Sequence, residues 1–164
     1  MFVTTVNDVF LLLGSNLGNR QMYLSEAVRR IGHEIAPVIR TSSLYETQAW
    51  GKTDEPDYLN QVAELKTDLP PKEILKQILN IEKAMGRKRE EKWGSRIIDI
   101  DVLFYDSLVI SGPELTIPHP EMHKRRFTLE PLNELIPDFV HPVLGKTVAE
   151  LKNELNDGLL VKKL

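Results

Sequence analysis

At 164 residues, with 41% apolar and 27% charged side chains, the chain has the composition of a soluble globular protein and the length of one ordinary domain. Its lack of cysteine excludes a disulfide framework, a thiolate nucleophile and a zinc–thiolate site, and a reducing cytoplasmic setting is expected. The net charge of −3 argues against general phosphate-driven nucleic-acid binding. No window approaches the ~18 apolar residues that cross a bilayer, so no membrane association is expected.

In chain order, Val9 to Leu13 is a short apolar run ending at Gly14-Ser15-Asn16, read as a buried strand entering a turn. Leu24, Ala27, Val28, Ile31 and Ile35 then follow helical spacing. Val38 to Glu46 and Tyr58 to Leu65 read as strands, and the stretch between them, Thr47 to Asp57, is longer than a tight hairpin requires. Pro70 and Pro71 open a second helix with Ile74, Ile78, Ile81 and Met85 as its apolar stripe, and Gly86 supplies the stop.

Gly86 also begins a basic loop. From there to Arg96 the chain carries Arg87, Lys88, Arg89, Lys92 and Arg96 against only Glu90 and Glu91, a charge suited to a compact polyanion, with a solvated surface loop as the plainer reading. The next strand alternates. Ile98, Ile100, Val102 and Phe104 are expected on one side and Asp99 and Asp101 on the other, ~7 Å apart along the backbone. Two carboxylates on one face repel unless they are solvated or meet cations, and hard Mg²⁺ ions with oxygen ligands answer that need. A polar edge strand is the alternative.

Tyr105 to Gly112 reads as a turn and short strand, followed by Leu115-Thr116-Ile117-Pro118-His119-Pro120 and a proline-rich, partly helical final third. The order strand-helix-strand-strand-helix-strand predicts an α+β class: a ferredoxin-like antiparallel sheet with helices packed on one face, a single domain over 1–164 with two long active-site loops. Fold does not select function. Domains of this shape include RNA binders, but the aromatic RNA-recognition run is absent, and the glycine-rich Gly14 to Arg20 segment lacks Walker spacing and its lysine.

Several segments together resemble one family, the 6-hydroxymethyl-7,8-dihydropterin pyrophosphokinases of folate biosynthesis. They are Leu13 to Asn19, Ser42 to Thr47, Pro56 to Asn60, Glu82 with Gly86-Arg87-x-Arg89, Trp93 to Asp101 and Leu115 to Pro120. G-R-x-R followed by W-G-x-R-x-x-D-x-D is the most specific part. The resemblance implies transfer of diphosphate from ATP to the hydroxymethyl oxygen of a reduced pterin, releasing AMP, with two Mg²⁺ ions held by Asp99 and Asp101. A non-catalytic nucleotide-sensing domain and an RNA-binding domain are the competing classes. The partners implied are ATP and the pterin, without nucleic acid or membrane, in a monomer or weak dimer.

By the same resemblance, Arg87 and Arg96 contact the ATP phosphates and stabilise transition-state charge, with Arg89 and Lys92 as further phosphate contacts of a closing loop. Thr116, His119 and Arg125 fall on nucleotide-site positions, and Leu115 and Val102 flank the adenine. Trp93 falls at both the nucleotide and pterin sites, and Glu82 lies beside the nucleotide, where a salt bridge is an equally economical role. Tyr58 and Phe127 match a stacking pair for the pterin. Asn60 shares a strand face with Tyr58 and can both donate and accept. Thr47, Ala49, Trp50 and Gly51 add pterin contacts, as does Asp99. Without the family match, Tyr58 and Phe127 read as core aromatics and His119 as a turn histidine. The chain departs from the family at Gln48-Ala49-Trp50, usually proline-rich, at Ser95, usually Pro, and in the acidic pair Glu90 and Glu91. His123 and Arg126 have no role in this reading.

Overall fold

The computed structural model describes residues 6–47, 57–87, 97–156, 158 and 160–164. β1 (Asn7–Ser15) leads through a turn into α1 (Arg20–Glu34). Gly18 makes that turn at φ +70°, and the Asn19 side chain accepts the Met22 N–H at 3.1 Å to cap the helix. β2 (Val38–Thr41) and β3 (Tyr45–Thr47) follow, then β4 (Tyr58–Thr67), α2 (Pro71–Ala84) and β5 (Asp99–Tyr105). β6 (Ile110–Ser111) and β7 (Thr116–Ile117) form a separate hairpin, and α3 (Arg126–Leu135), α4 (Val148–Asn153) and β8 (Val161–Lys163) complete the order. None of the described helices is long and apolar enough to cross a membrane.

The main sheet runs β5-β1-β4-β3-β8, with β2 also on β4, and its pairings are antiparallel. The strand expected over Val38 to Glu46 is therefore two pieces lying along one edge of β4. Ser42 divides them: its N–H donates to the Val62 carbonyl at 2.8 Å, and its hydroxyl accepts the Val62 N–H at 2.9 Å. A side chain thus takes a ladder position, and the strand resumes at Tyr45.

α1 and α2 form the expected helical layer. Leu24, Ala27 and Ile31 from α1 and Ile74, Ile78 and Ile81 from α2 pack with Val9, Leu11 and Leu13 of β1 and Ile98, Ile100 and Val102 of the β5 segment. The chain adds a second layer that the sequence reading did not include. Leu129 and Leu132 of α3 and Val148 and Leu151 of α4 cluster with Phe10, Leu12, Val62, Leu103 and Phe104 on the opposite face. A central strand covered on both sides needs apolar residues at every position, which is why β1 reads as an unbroken Val-Phe-Leu-Leu-Leu run instead of alternating.

One face assignment in β5 is corrected. Phe104, expected beside Ile98, Ile100 and Val102, lies with the second cluster, its ring centroid 4.6 Å from that of Phe139. The register slips between Phe10 and Leu11: Phe10 pairs Phe104, whereas Leu11 pairs Val102. This bulge gives β5 one extra residue, Leu103, and inverts the facing beyond it.

His141, 4% exposed, sits edge-on to Phe104 at 5.6 Å. Its Nδ1 accepts the N–H groups of Val143 and Leu144 at 3.2 and 3.1 Å. Burial and the neighbouring His123 lower its pKa from the usual 6.5. Protonation would place a hydrogen on the accepting nitrogen, so the unfolded chain binds that proton more readily. Its contribution to stability is present above pH 6.5 and lost as pH falls through the lowered folded value. The urea midpoint of His141→Asn, whose amide oxygen can replace Nδ1, is expected to fall less between pH 7 and pH 5 than that of the parent chain; equal slopes would refute the assignment.

Candidate active site

Gly14 is the centre of the site. It pairs Asn60 of β4 on one side and Asp99 of β5 on the other, so the amide and the carboxylate flank it on one face of the sheet. A Cβ on Gly14 would lie 2.8 Å from Asn60 Oδ1 and 3.6 Å from Tyr58 Cδ1. Both side chains therefore lean over bare backbone, confirming that Tyr58 and Asn60 share a face. Glycine at this position makes room for the Asn60 amide, which lies over its backbone. The sequence marks Gly14 as the start of a turn and as part of the family-like Leu13 to Asn19 segment, without a place in the site; the signal available was a glycine closing an otherwise large apolar strand.

Asn60 is 3% exposed and its Nδ2 has no partner among the described residues. A buried amide N–H left open costs free energy, on the order of 1–3 kcal/mol, which a ligand acceptor would recover. Thr47 pairs Tyr58, and Tyr45 pairs Asn60, continuing the same face into β3. Thr47 is held from outside by β8: it pairs Val161, and its hydroxyl donates to the Leu160 carbonyl at 3.0 Å. Tyr45 donates to Glu134 of α3 at 2.6 Å, and Ser43 N–H donates to the same carboxylate at 2.9 Å.

Asp101 pairs Leu12, one step further under α3, so both aspartates lie on the Asn60 face as the alternation predicts. Burial, followed by the charges of Asp99 and Glu82, pushes the Asp101 carboxyl up to about 7, opposed by Arg125 and Arg87. A carboxylate in that position calls for positive charge. Oxygen donors on one strand face fit a hard divalent cation. No group of three or more His, Cys, Asp or Glu among the described residues is arranged to hold a metal.

Arg87 supplies part of the compensation. Its guanidinium lies between Glu82 and Asp99, 2.9 Å from Asp99 Oδ1, with its buried Nε unpartnered among the described residues. Gly86, at φ +91°, turns the chain so that Arg87 N–H closes on the Glu82 carbonyl at 3.0 Å. Glu82, 2% exposed, also accepts the Ile100 N–H at 2.9 Å, satisfying a group on the edge strand β5. Burial raises its pKa against the lowering effect of that hydrogen bond and Arg87. The salt-bridge role weighed for Glu82 is thus present.

The segment before α3 closes the other side. His119 N–H donates to the Leu103 carbonyl at 3.1 Å, and His119 Nδ1 accepts the Glu121 N–H at 3.2 Å. Burial and then Arg125 lower its pKa to about 4, so the ring is neutral and carries its proton on Nε2. Arg125 lies 5.7 Å from the centroid of Phe127, and its charge reaches both Asp101 and His119. Asn60, Tyr58, Asp99, Asp101, Arg87, His119, Arg125 and Phe127 thus form a connected neighbourhood.

Val102 and Leu115 are placed differently, in or against the first core cluster on the other face of β5. Thr116 donates to the Gly112 carbonyl at 3.4 Å within its own hairpin. His123 stands edge-on to His141 at 6.4 Å, and Arg126 pairs Glu130 at 3.2 Å. Ala49, Trp50, Gly51, Arg89, Lys92, Trp93 and Arg96 lie outside the described residues, as do Gln48, Glu90, Glu91 and Ser95.

A family model described as 7,8-dihydro-6-hydroxymethylpterin-pyrophosphokinase (HPPK) matches residues 10–137, a span that holds Gly14, Asn60, both aspartates, His119, Arg125 and Phe127. The chain belongs to the HPPK family. Among relatives, the 2-amino-4-hydroxy-6-hydroxymethyldihydropteridine pyrophosphokinase of Aquifex aeolicus is 42% identical over 146 residues, covering 89% of this chain and 91% of that protein. The enzyme of the same name from Haemophilus influenzae is 36% identical over 154 residues, covering 93% and 96%. Among solved structures, Plasmodium falciparum HPPK-DHPS, crystallised with pterin and p-hydroxybenzoate, superposes with a TM-score of 0.74 at 20% identity over 92% of this chain. This chain spans only 42% of that one, and the likeness speaks to the fold: the HPPK family shares the antiparallel sheet and its helices.

Proposed function

We propose that this HPPK-family chain transfers diphosphate from ATP to the hydroxymethyl oxygen of 6-hydroxymethyl-7,8-dihydropterin, releasing AMP. The observation that carries the reading is the row Asn60, Gly14, Asp99: a buried amide with an open N–H and a carboxylate on one sheet face, the Asn60 side chain lying over the glycine between them. In this reading Asn60 meets the pterin at its polar edge, and Tyr58 and Phe127 stack on its ring faces. Its hydroxymethyl arm is then directed toward the aspartates.

Attack on the β-phosphorus forms an oxygen–phosphorus bond as the bond to AMP breaks, and the hydroxyl proton leaves. The protein's share is positioning and charge. Asp99 and Asp101 would hold two Mg²⁺ ions, which when bound neutralise phosphate charge and orient the triphosphate. Arg87 is already beside Asp99 and can reach phosphate oxygens through its fork of donors, with Arg96 assigned the same task by resemblance. His119 offers a neutral Nε2–H, and Arg125 a cation whose charge reaches both Asp101 and His119. Trp93, Arg89 and Lys92 complete the nucleotide contacts in this reading, and Ala49, Trp50 and Gly51 the pterin contacts.

The test is nucleotide product analysis of the purified chain with ATP, Mg²⁺ and the pterin, omitting each in turn. AMP that depends on both pterin and metal is expected. ADP would mean single phosphoryl transfer, and tight ATP binding without product would favour a nucleotide sensor.

A further inference from the structure

We infer that Arg20, to which the family resemblance gives no role, is a positioning residue for the pterin half of the site. The inference rests on the diphosphate-transfer reading and adds a residue to it. Arg20 is the first residue of α1, fixed at its backbone by a hydrogen bond from its N–H to the Gly18 carbonyl at 3.0 Å. Its guanidinium makes one contact on β3 and another just before β4. Nη2 lies 2.7 Å from Glu46 Oε2, and Nη1 donates to the Asp57 carbonyl at 2.8 Å.

Those two partners bracket the pterin-side residues. Glu46 precedes Thr47 at the end of β3, and Asp57 precedes Tyr58 at the start of β4; Thr47 and Tyr58 are themselves a register pair. Neighbouring residues on a strand point to opposite faces, so Glu46 faces away from Thr47 and Tyr45. Arg20 therefore grips the two strand ends from behind the surface that carries Thr47, Tyr58 and Asn60. Residues 48–56 join these ends in sequence, so register at this point is not enforced by a tight turn. The brace ties it to α1 and, through the Gly14–Asn19 turn, to the Gly14 end of β1.

The chemistry requires arginine. A planar guanidinium presents separate donors in a fixed fork, so one side chain can hold a carboxylate and a carbonyl at once, whereas an ammonium on a flexible stem holds one well. At 29% side-chain exposure the ion pair is partly screened, and its effect is expected in ligand geometry more than in global stability.

The experiment uses the full chain with Arg20→Met, Arg20→Lys and Glu46→Gln, measuring kcat, KM for each substrate, pterin affinity by fluorescence titration, and melting temperature. Arg20→Met should raise the pterin KM and Kd about 5- to 10-fold with ATP KM and kcat within about twofold. Arg20→Lys should recover part of the loss, and Glu46→Gln, which spares the Asp57 contact, should cost about 2- to 3-fold. An unchanged pterin KM in Arg20→Met, or parallel losses for both substrates with a large drop in melting temperature, would overturn the inference. A parent chain making no pterin-dependent AMP would instead overturn the functional reading, and this inference with it.

Discussion

Asp101→Ala is expected to lower pterin-dependent AMP formation by at least about 1,000-fold while leaving the metal-free protein as stable as the parent or more so. The two halves of this expectation come from one geometry. Asp101 shares a sheet face with Asp99, feels the charge of buried Glu82, and packs at the level of Leu12 beneath α3, so its carboxyl is pushed up to about 7. Arg87 and Arg125 oppose that rise without cancelling it. A group so placed works against the fold whenever it is ionised, and its retention makes sense if a cation and a polyphosphate arrive to complete the balance. Removing it should relieve the folded chain in chelator and disable the loaded one. Urea midpoints at pH 8 in chelator, read beside AMP yield at saturating ATP and Mg²⁺, measure both halves. Turnover within tenfold of the parent would remove Asp101 from the catalytic assignment, and a large loss of metal-free stability would make it a residue of the fold.

The legible part of this architecture was local. The alternation Ile98-Asp99-Ile100-Asp101 placed both carboxylates on one face, and the same period placed Tyr58 with Asn60 on one face of their own strand, because period-2 patterning needs no knowledge of partners. The proline opening and glycine stop of α2 were legible for the same reason. What failed depended on register. The Leu103 bulge that turns Phe104 over is a mismatch between two strands, invisible in either alone. The break at Ser42 arises because a hydroxyl competes for a β4 amide, and the role of Gly14 appears only when Asn60 and Asp99 are seen on either side of it. β8, only three residues long, had too little pattern to be read as a strand, although it holds Thr47 in place. The second helical layer did leave a trace, the unbroken apolar run of β1, whose two-sided burial the helix count from the first two-thirds of the chain did not accommodate.

Glu82→Leu is expected to be the most destabilising single substitution around the site, by about 2–4 kcal/mol, and to lower the melting temperature by about 5–15 °C. Leucine keeps the bulk of a side chain that is 2% exposed but removes the acceptor of the Ile100 N–H and the counter-charge of Arg87. The Ile100 N–H would lose its acceptor on the edge strand, and Arg87, itself buried, would keep Asp99 as its carboxylate among the described residues. Breaking a buried pair by deleting one member is costly because the survivor remains desolvated. Glu82→Gln separates the two losses: its amide oxygen can still accept from Ile100 while the charge is gone. That variant should hold most of the parent's stability yet turn over about tenfold more slowly, since Arg87 would be drawn wholly onto Asp99 and away from incoming phosphate. Thermal melts of both variants with single-turnover rates decide between a structural and an electrostatic task for this carboxylate. If Glu82→Leu melts with the parent, the buried bridge contributes nothing to the fold. If Glu82→Gln is as fast as the parent, Arg87 does not depend on Glu82 for its position.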